Sequence, residues 1–230
     1  MLKARPAAPS PFFEQPRLAQ DASRHLPFQK VWITPDPAVL AEGKSKKKLY
    51  IAPVTLHFLR PVDKKLANLE ITNGGVHRQE ADVARRLQQE FILAFQRSPS
   101  PLYQLASKPA PDTLILQLAL IELNPTSPKG NAVMTMMKLA VSPVAGLASF
   151  FTKGTMAIEG KVIEPHSGRA FFQFADKEAD RLTFLSTRDF QPYGHAVYTM
   201  REWAVQFEQV TRTAPGQIMK DSSFMTLMPY

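Results

Sequence analysis

Apolar residues alternate with polar or small residues in several stretches of the chain, and this period of two predicts strands. In residues 113–123 both alternate faces are largely apolar, which is typical of a strand at the centre of a sheet that is covered on both sides. Residues 49–59 alternate as well, but Pro53 lies inside them. Because proline cannot donate a hydrogen bond to a neighbouring strand, we expect an edge position or a bulge there.

The remaining patterns predict a hairpin, a short strand and two helices. Two alternating stretches at residues 155–164 and 169–177 share a segment of turn-forming residues, which indicates a hairpin, and a short strand is predicted at 103–105. Apolar positions three and four residues apart predict helices at residues 76–96 and 193–211. This order favours an α+β fold, with a small, mainly antiparallel sheet, two long helices packed on one face, and an extended N-terminal arm.

The N-terminal 45 residues differ from the rest of the chain because they are rich in proline and lack sustained periodicity. Their short apolar clusters suggest an extended arm that is anchored to a domain at intervals. Pro35 and Pro37 oppose a regular helix in this region. We therefore predict an extended arm over residues 1–45 and a single α+β domain over residues 46–230.

The charge balance is basic, with 28 lysines and arginines against 20 aspartates and glutamates, a net charge of +8. The basic residues are scattered, and the run at residues 44–48 reads as a solvated loop before a strand. Nucleic-acid binding favours interleaved aromatic residues or an arginine-rich helix face, and neither is clear. The sequence has no cysteine, which excludes a disulfide framework, thiolate catalysis and a cysteine-ligated metal site.

Four sets of residues together resemble a bacterial family, domain of unknown function 3313. They are YIAPV at 50–54, PDTL at 111–114 running into ALIELNP at 119–125, AIEG at 157–160 with EPHSG at 164–168, and Trp203 with Ala204. The resemblance implies a lipoprotein of the bacterial periplasm or outer membrane, of unassigned activity, anchored through an N-terminal cysteine. Neither that cysteine nor a signal peptide occurs in the sequence, and we expect the signal peptide to have been removed.

The chemically reactive residues do not form a recognisable catalytic or metal-binding motif. No two of the five histidines have the spacing of a helical metal pair. Three carboxylates, Glu122, Glu159 and Glu164, lie near predicted strand ends and could pair across strands. Asp112 suits a turn. An acidic run after the predicted hairpin consists of Asp176, Glu178 and Asp180, an alternation that can bind a hard cation. We interpret the acidic run as a solvated loop. No catalytic, metal-binding or cofactor-binding residue is nominated, and no enzyme activity is expected.

The methionine-rich segment at residues 132–151 is the best functional candidate in the sequence. It carries one charge among many flexible apolar side chains, and the candidate residues for binding a partner or lipid are Met134, Met136, Met137, Lys138, Leu139, Val144, Leu147, Phe150 and Phe151. One interpretation is a loop and short helix packed on the domain; the other is an exposed binding surface. The segment has the length of a membrane span, but Lys138 and Pro143 within it disfavour that interpretation.

The leading hypothesis is therefore a non-enzymatic binding or scaffolding module of the cell envelope. Its partner would be an envelope protein, further copies of the chain or an anionic membrane surface, and no nucleic acid is expected. One alternative is a binder of small lipids or amphiphiles, which would show an apolar pocket with few polar groups. Another is an unrecognised hydrolase, which would bring carboxylates or a histidine together in a cleft. Nucleic-acid binding through the basic charge would show a steep salt dependence.

Overall fold

The computed structural model describes residues 2–3, 5–14, 20–21, 26–61, 76–124, 155–179, 196–213 and 219. Within these residues, eight strands form one sheet, accompanied by three helices. The strands are β1 (Leu2–Lys3), β2 (Gln20–Asp21), β3 (Lys30–Ile33), β4 (Lys48–Ile51), β5 (Gln104–Leu105), β6 (Thr113–Asn124), β7 (Thr155–Ile163) and β8 (Ala170–Ala179). The helices are α1 (Pro37–Ser45), α2 (Val76–Arg97) and α3 (Ala196–Arg212).

The strands lie in the order β2-β3-β8-β7-β6-β4-β5, and β1 adds to the β3 side of β8. β6, β7 and β8 are antiparallel, whereas β4 pairs in parallel with both β5 and β6. The predicted small, mainly antiparallel sheet with two long helices is therefore wrong: the sheet is larger and mixed, and three helices accompany it. The parallel pairs arise because α2 lies between β4 and its partners in the chain, and a helical crossover lets the next strand run in the same direction.

Strand β6 lies inside the sheet and is covered on both sides, as its two apolar faces predict. One face belongs to the main core, which it shares with α2 and α3; the contributing side chains include Leu116, Leu118, Leu87, Phe91, Trp203 and Phe207. The other face carries Ala119 and Ile121, which pack in a separate cluster with Phe12 of residues 5–14, the N-terminal segment. The sheet thus separates a helix-covered side from a side covered by the N-terminal segment.

The helices are fixed to the sheet through aromatic contacts and one buried hydrogen bond. The Phe207 ring lies 5.8 Å from that of Phe91 and 5.4 Å from that of Phe174 on β8, between ring centroids. The indole nitrogen of Trp203 donates to the Asp176 carboxylate at 2.7 Å, and both residues are buried. These contacts hold α3 against the sheet and beside α2.

The structure corrects one local prediction about proline and part of another. Helix α1 begins at Pro37, although proline was expected to oppose a helix there. The first helical position needs no N–H donor, and the Asp36 side chain accepts hydrogen bonds from the amides of Ala38 and Val39. Strand β4 ends at Ile51, before Pro53, and lies between β5 and β6, so it is shorter than predicted and not an edge strand. The chain pairs with β6 again at Thr55 and Ala119, with one residue more than β6 has between the two contacts, and this irregularity is the bulge predicted at Pro53.

The hairpin of β7 and β8 is confirmed, and its turn is closed by a carboxylate. The Glu164 side chain accepts hydrogen bonds from the amides of His166 at 2.9 Å and Ser167 at 2.6 Å. Gly168 has a φ of 66°, in the left-handed region that favours glycine. The sequence segment after β7 therefore folds as the turn that its composition predicts.

Candidate functional site

A groove of about 240 Å³ lies between α2 and α3 on the outer side of the helix layer. Its lining is partly apolar and partly charged: Glu90, Leu93, Ala94, Arg97, Ser98, Pro99, Arg201, Val205, Glu208, Gln209 and Arg212. It forms where the two helices turn their buried stripes toward the sheet and leave their adjoining edges at the surface. We name it the interhelical groove.

Glu90 is the buried acid at one end of the interhelical groove. Its side chain is 1% exposed and forms an ion pair with Arg86 one helical turn earlier, at 2.6 Å. Arg201 of the neighbouring helix approaches its other oxygen at 3.6 Å, with 54% of the arginine side chain exposed. A buried carboxylate requires such charged partners, and the contact with Arg201 links the two helices.

Glu208 is the second buried acid of the interhelical groove. Its carboxylate accepts hydrogen bonds from Arg212 at 3.1 Å and from the Ser98 hydroxyl at 2.7 Å. Ser98 follows the end of α2, so this pair also joins the helices. Both buried acids thus have arginine partners, and Arg97, Arg201 and Arg212 surround them at the rim. An arginine rim above neutralised acids offers guanidinium groups to an anionic partner.

The opposite side of the sheet carries a second polar arrangement, under the N-terminal segment of residues 5–14. Glu159 on β7 is buried and accepts hydrogen bonds from the Ser10 amide at 2.8 Å and the Ser10 hydroxyl at 2.5 Å. Burial raises the pKa of Glu159, and the two Ser10 hydrogen bonds oppose this rise only in part. A buried acid therefore fixes the N-terminal segment to the sheet.

Further charged contacts hold the same segment. Lys161 pairs with Glu14 at 2.5 Å and lies 4.8 Å from the centre of the Phe12 ring. Arg60 donates to the carbonyl of Ala8 and also pairs with Glu122, at 2.7 Å for the latter. The N-terminal segment is therefore held by side chains from β6 and β7 and from the loop after β4.

Two of the carboxylates that the sequence singled out lie on the same side of the sheet, beside the N-terminal segment. Glu122 pairs with Arg60 and Lys177, whereas Glu159 accepts hydrogen bonds from Ser10 and also feels the charge of Arg60. Asp112 precedes β6 in a turn and pairs with Lys48 at 2.7 Å; the hydrogen bond from Lys48 lowers the pKa of Asp112. Its role as a turn former is confirmed.

The acidic run was wrongly interpreted as a solvated loop. Asp176 and Glu178 lie within β8 and are buried, and Asp180 lies outside the described residues. The interhelical groove was missed. The spacing of its i,i+4 ion pairs on α2 and α3 is visible in the sequence. The sequence does not indicate that the polar edges of these two helices meet.

All the residues nominated in the methionine-rich segment lie outside the part of the chain that the structure describes: Met134, Met136, Met137, Lys138, Leu139, Val144, Leu147, Phe150 and Phe151. Their binding role stays a prediction. Among the described residues, no helix is long and apolar enough to cross a membrane. In the same residues, no group of three histidines, aspartates or glutamates is placed to hold a metal ion.

Comparison with known families gives one match over most of the chain. A family model described as "Protein of unknown function (DUF3313)" matches residues 8–207. No curated protein matches the chain.

Several solved structures align with most of this chain at low sequence identity. Protein XCC0632 from Xanthomonas campestris is 14% identical with a TM-score of 0.38, over 82% of this chain and 98% of that one. A PelC dodecamer from Paraburkholderia phytofirmans is 10% identical with a TM-score of 0.36, over 76% and 96%. The hypothetical protein CT253 from Chlamydia trachomatis is 10% identical with a TM-score of 0.38, over 72% and 95%.

Proposed function

The chain belongs to the DUF3313 family, and from this premise we propose that it is a non-enzymatic binding or scaffolding module of the bacterial envelope. The resemblance of its sequence segments to envelope lipoproteins supports the location. The division of the molecule into two sides supports the role.

The observation that carries this proposal is the placement of the N-terminal segment and the interhelical groove on opposite sides of the sheet. Residues 5–14 bind the side with Ala119 and Glu159. The groove lies beyond the helices, which cover the side with Leu116 and Leu118. A chain tethered through its N-terminal segment would therefore present the groove away from its attachment.

The chemistry of the groove suits binding better than proton transfer. A general acid or base needs a pKa near the working pH and access to the substrate. Glu90 and Glu208 are buried, and each already has an arginine partner. Arginine stays protonated at ordinary pH, so it recognises anions without exchanging protons. These features favour a surface that holds a charged partner.

The location is tested by fractionating the native bacterium. The gene, expressed from its own start with a C-terminal epitope, should give protein in the envelope fraction that becomes accessible to protease when the outer membrane is permeabilised. A cytoplasmic and a periplasmic marker are followed as controls. Protein that co-fractionates with the cytoplasmic marker and resists protease in spheroplasts would contradict the proposed location.

A further inference from the structure

We propose that the interhelical groove binds an extended acidic segment of a partner protein. This names the partner class for the binding role proposed above and rests on that role. The segment would place carboxylates on Arg97, Arg201 and Arg212 and an apolar side chain between them.

The charges at the rim are the first support. Arg97 is exposed and has no ion-pair partner within the described part of the chain. Arg201 is 54% exposed and stands 3.6 Å from Glu90, a longer separation than the direct pair of Arg86 with the same acid at 2.6 Å. Its guanidinium can therefore meet a second carboxylate while Glu90 stays neutralised by Arg86. A carboxylate is a matched, planar partner for such groups.

The length of the groove is the second support. Arg201 and Arg212 are about 16 Å apart along α3 at the helical rise per residue. A single anionic head group cannot contact both, whereas an extended peptide covers this distance with about five residues. The arginine spacing therefore fits a chain better than a compact anion.

The floor of the groove is the third support. Leu93, Ala94 and Val205 lie between the charged ends, and Val205 is 39% exposed although it is apolar. An apolar side chain of the partner would cover this surface. The volume of about 240 Å³ is below the roughly 300–1,000 Å³ of sites that enclose whole small ligands.

The test uses a fluorescent synthetic peptide in which glutamates flank leucines, titrated with the full chain and followed by anisotropy. A peptide with lysines in place of the glutamates is the charge control. Binding of the acidic peptide should weaken as ionic strength rises, because rim charges are exposed to screening. Absence of binding by the acidic peptide at low ionic strength, or equal binding of both peptides, would overturn the proposal.

Matched variants locate the binding. Arg97→Glu reverses a charge in the groove and should weaken acidic-peptide binding about tenfold or more, since like charges oppose each other across an interface. Arg85→Glu makes the same change on α2, at an exposed position away from the groove, and should change the affinity less than about twofold. Equal weakening by both would show nonspecific attraction to a basic protein and overturn the proposal. Arg97→Gln removes the charge without reversing it and should weaken acidic-peptide binding by less than Arg97→Glu does. This variant tests the same contact if Arg97→Glu perturbs folding.

A membrane source of anionic groups is separated by a vesicle experiment. Phosphatidylglycerol vesicles should bind the protein no differently after Arg97→Glu if the groove is specific for a peptide. Vesicle binding that depends on Arg97, together with no peptide binding, would assign the groove to lipid and overturn the proposal. Either result leaves the fractionation test untouched, so failure here is distinguishable from failure of the envelope location.

Discussion

Glu159 shows how one residue can combine attachment with sensitivity to pH. Its carboxyl group lies on a central strand under the N-terminal segment, where burial favours the neutral acid and raises its pKa. The Ser10 amide and hydroxyl donate to its oxygens and favour the charged form. Since the pKa is raised overall, burial outweighs the hydrogen bonds.

The sign of the pH effect follows from this shift. The folded state holds the Glu159 proton more tightly than the unfolded state, whose pKa is about 4.3. Its contribution to stability is fully present below that value and is lost as pH rises through the folded pKa. Glu159→Gln, which keeps an acceptor for the Ser10 amide, should therefore flatten the decline of the unfolding free energy above about pH 4.3, measured by urea denaturation across pH.

Glu164 supplies a control of opposite sign. Burial raises the pKa of Glu164, but the hydrogen bonds from the Ser167 and His166 amides outweigh burial and lower it overall. Its stabilisation is present above the unfolded pKa and is lost as pH falls. Glu164→Gln should therefore reduce the pH dependence on the acid side. A Glu159→Gln variant with the pH profile of the wild type would contradict the assignment to Glu159.

Gly160 is required on β7 because its neighbour fills the space of a side chain. A Cβ atom at Gly160 would overlap the ring of Phe174, and that ring is fully buried and stacked on Phe28 at 4.3 Å. Gly160→Ala should lower the unfolding free energy by about 2–3 kcal/mol through overpacking. Chemical denaturation measures this change.

The control for Gly160 is another glycine with a different constraint. A Cβ at Gly168 meets nothing within 4 Å, but its φ of 66° strains any other residue, and Gly168→Ala should cost about 1–2 kcal/mol. In a protein that already carries Phe174→Leu, Gly160→Ala should cost less unfolding free energy than it does in the wild type. Purely additive losses would show that the Phe174 contact is not the cause.

At the scale of elements, the periodic stretches were predicted and the pairings were not. The antiparallel hairpin of β7 and β8 was found because its turn residues lie between its strands. The parallel pairing of β4 with β6 depends on the path through α2, which no local pattern reveals. Helix α1 was missed because Pro37 was judged by its effect inside a helix and not at the first position.

The N-terminal segment behaves as an element although it contains little regular structure. Phe12 is buried against Ala119, Ile121 and Ala157, and its ring meets that of Phe58 at a centroid distance of 5.6 Å. Phe12→Ala should lower the unfolding free energy by about 3–5 kcal/mol and increase amide hydrogen exchange in residues 8–14. Hydrogen exchange with mass spectrometry measures the local effect.

An exposed contact in the same segment serves as the control. Glu14→Gln removes the ion pair with Lys161, in which 46% of the Glu14 side chain is exposed. Exposed pairs contribute about 1 kcal/mol or less, so exchange in residues 8–14 should change little. Equal exchange in the Phe12→Ala and Glu14→Gln variants would mean that the aromatic contact does not hold the segment.

At the scale of the molecule, the interhelical groove depends on residues that are far apart in the sequence. Arg97 and Arg212 come from helices on either side of the β6–β8 strands in the chain. A sequence pattern reports which face of each helix is apolar, but not which polar edges meet after packing. The sequence therefore predicts the i,i+4 pairs of Glu90 and Glu208 on their separate helices, but it does not predict the groove between those helices.

The two sides of the sheet should act independently, and this gives the last prediction. Phe12→Ala loosens the N-terminal segment and Arg97→Glu alters the groove, and these residues share no partner and lie on opposite sides of the central sheet. Changes at distant sites without shared partners add within about 0.5 kcal/mol. Arg97→Glu should therefore lower the affinity for the acidic peptide by the same factor in the wild-type protein and in the Phe12→Ala variant.

Peptide titrations of the four proteins of this double-mutant cycle measure the coupling, and thermal melts establish that each one is folded. A coupling within about 0.5 kcal/mol would leave attachment and binding as separate properties of the two sides. A coupling above ~1 kcal/mol would contradict that separation. It would mean that docking of the N-terminal segment changes the packing of the helices through β6, whose alternate residues contact both sides, so that a tether could regulate the groove.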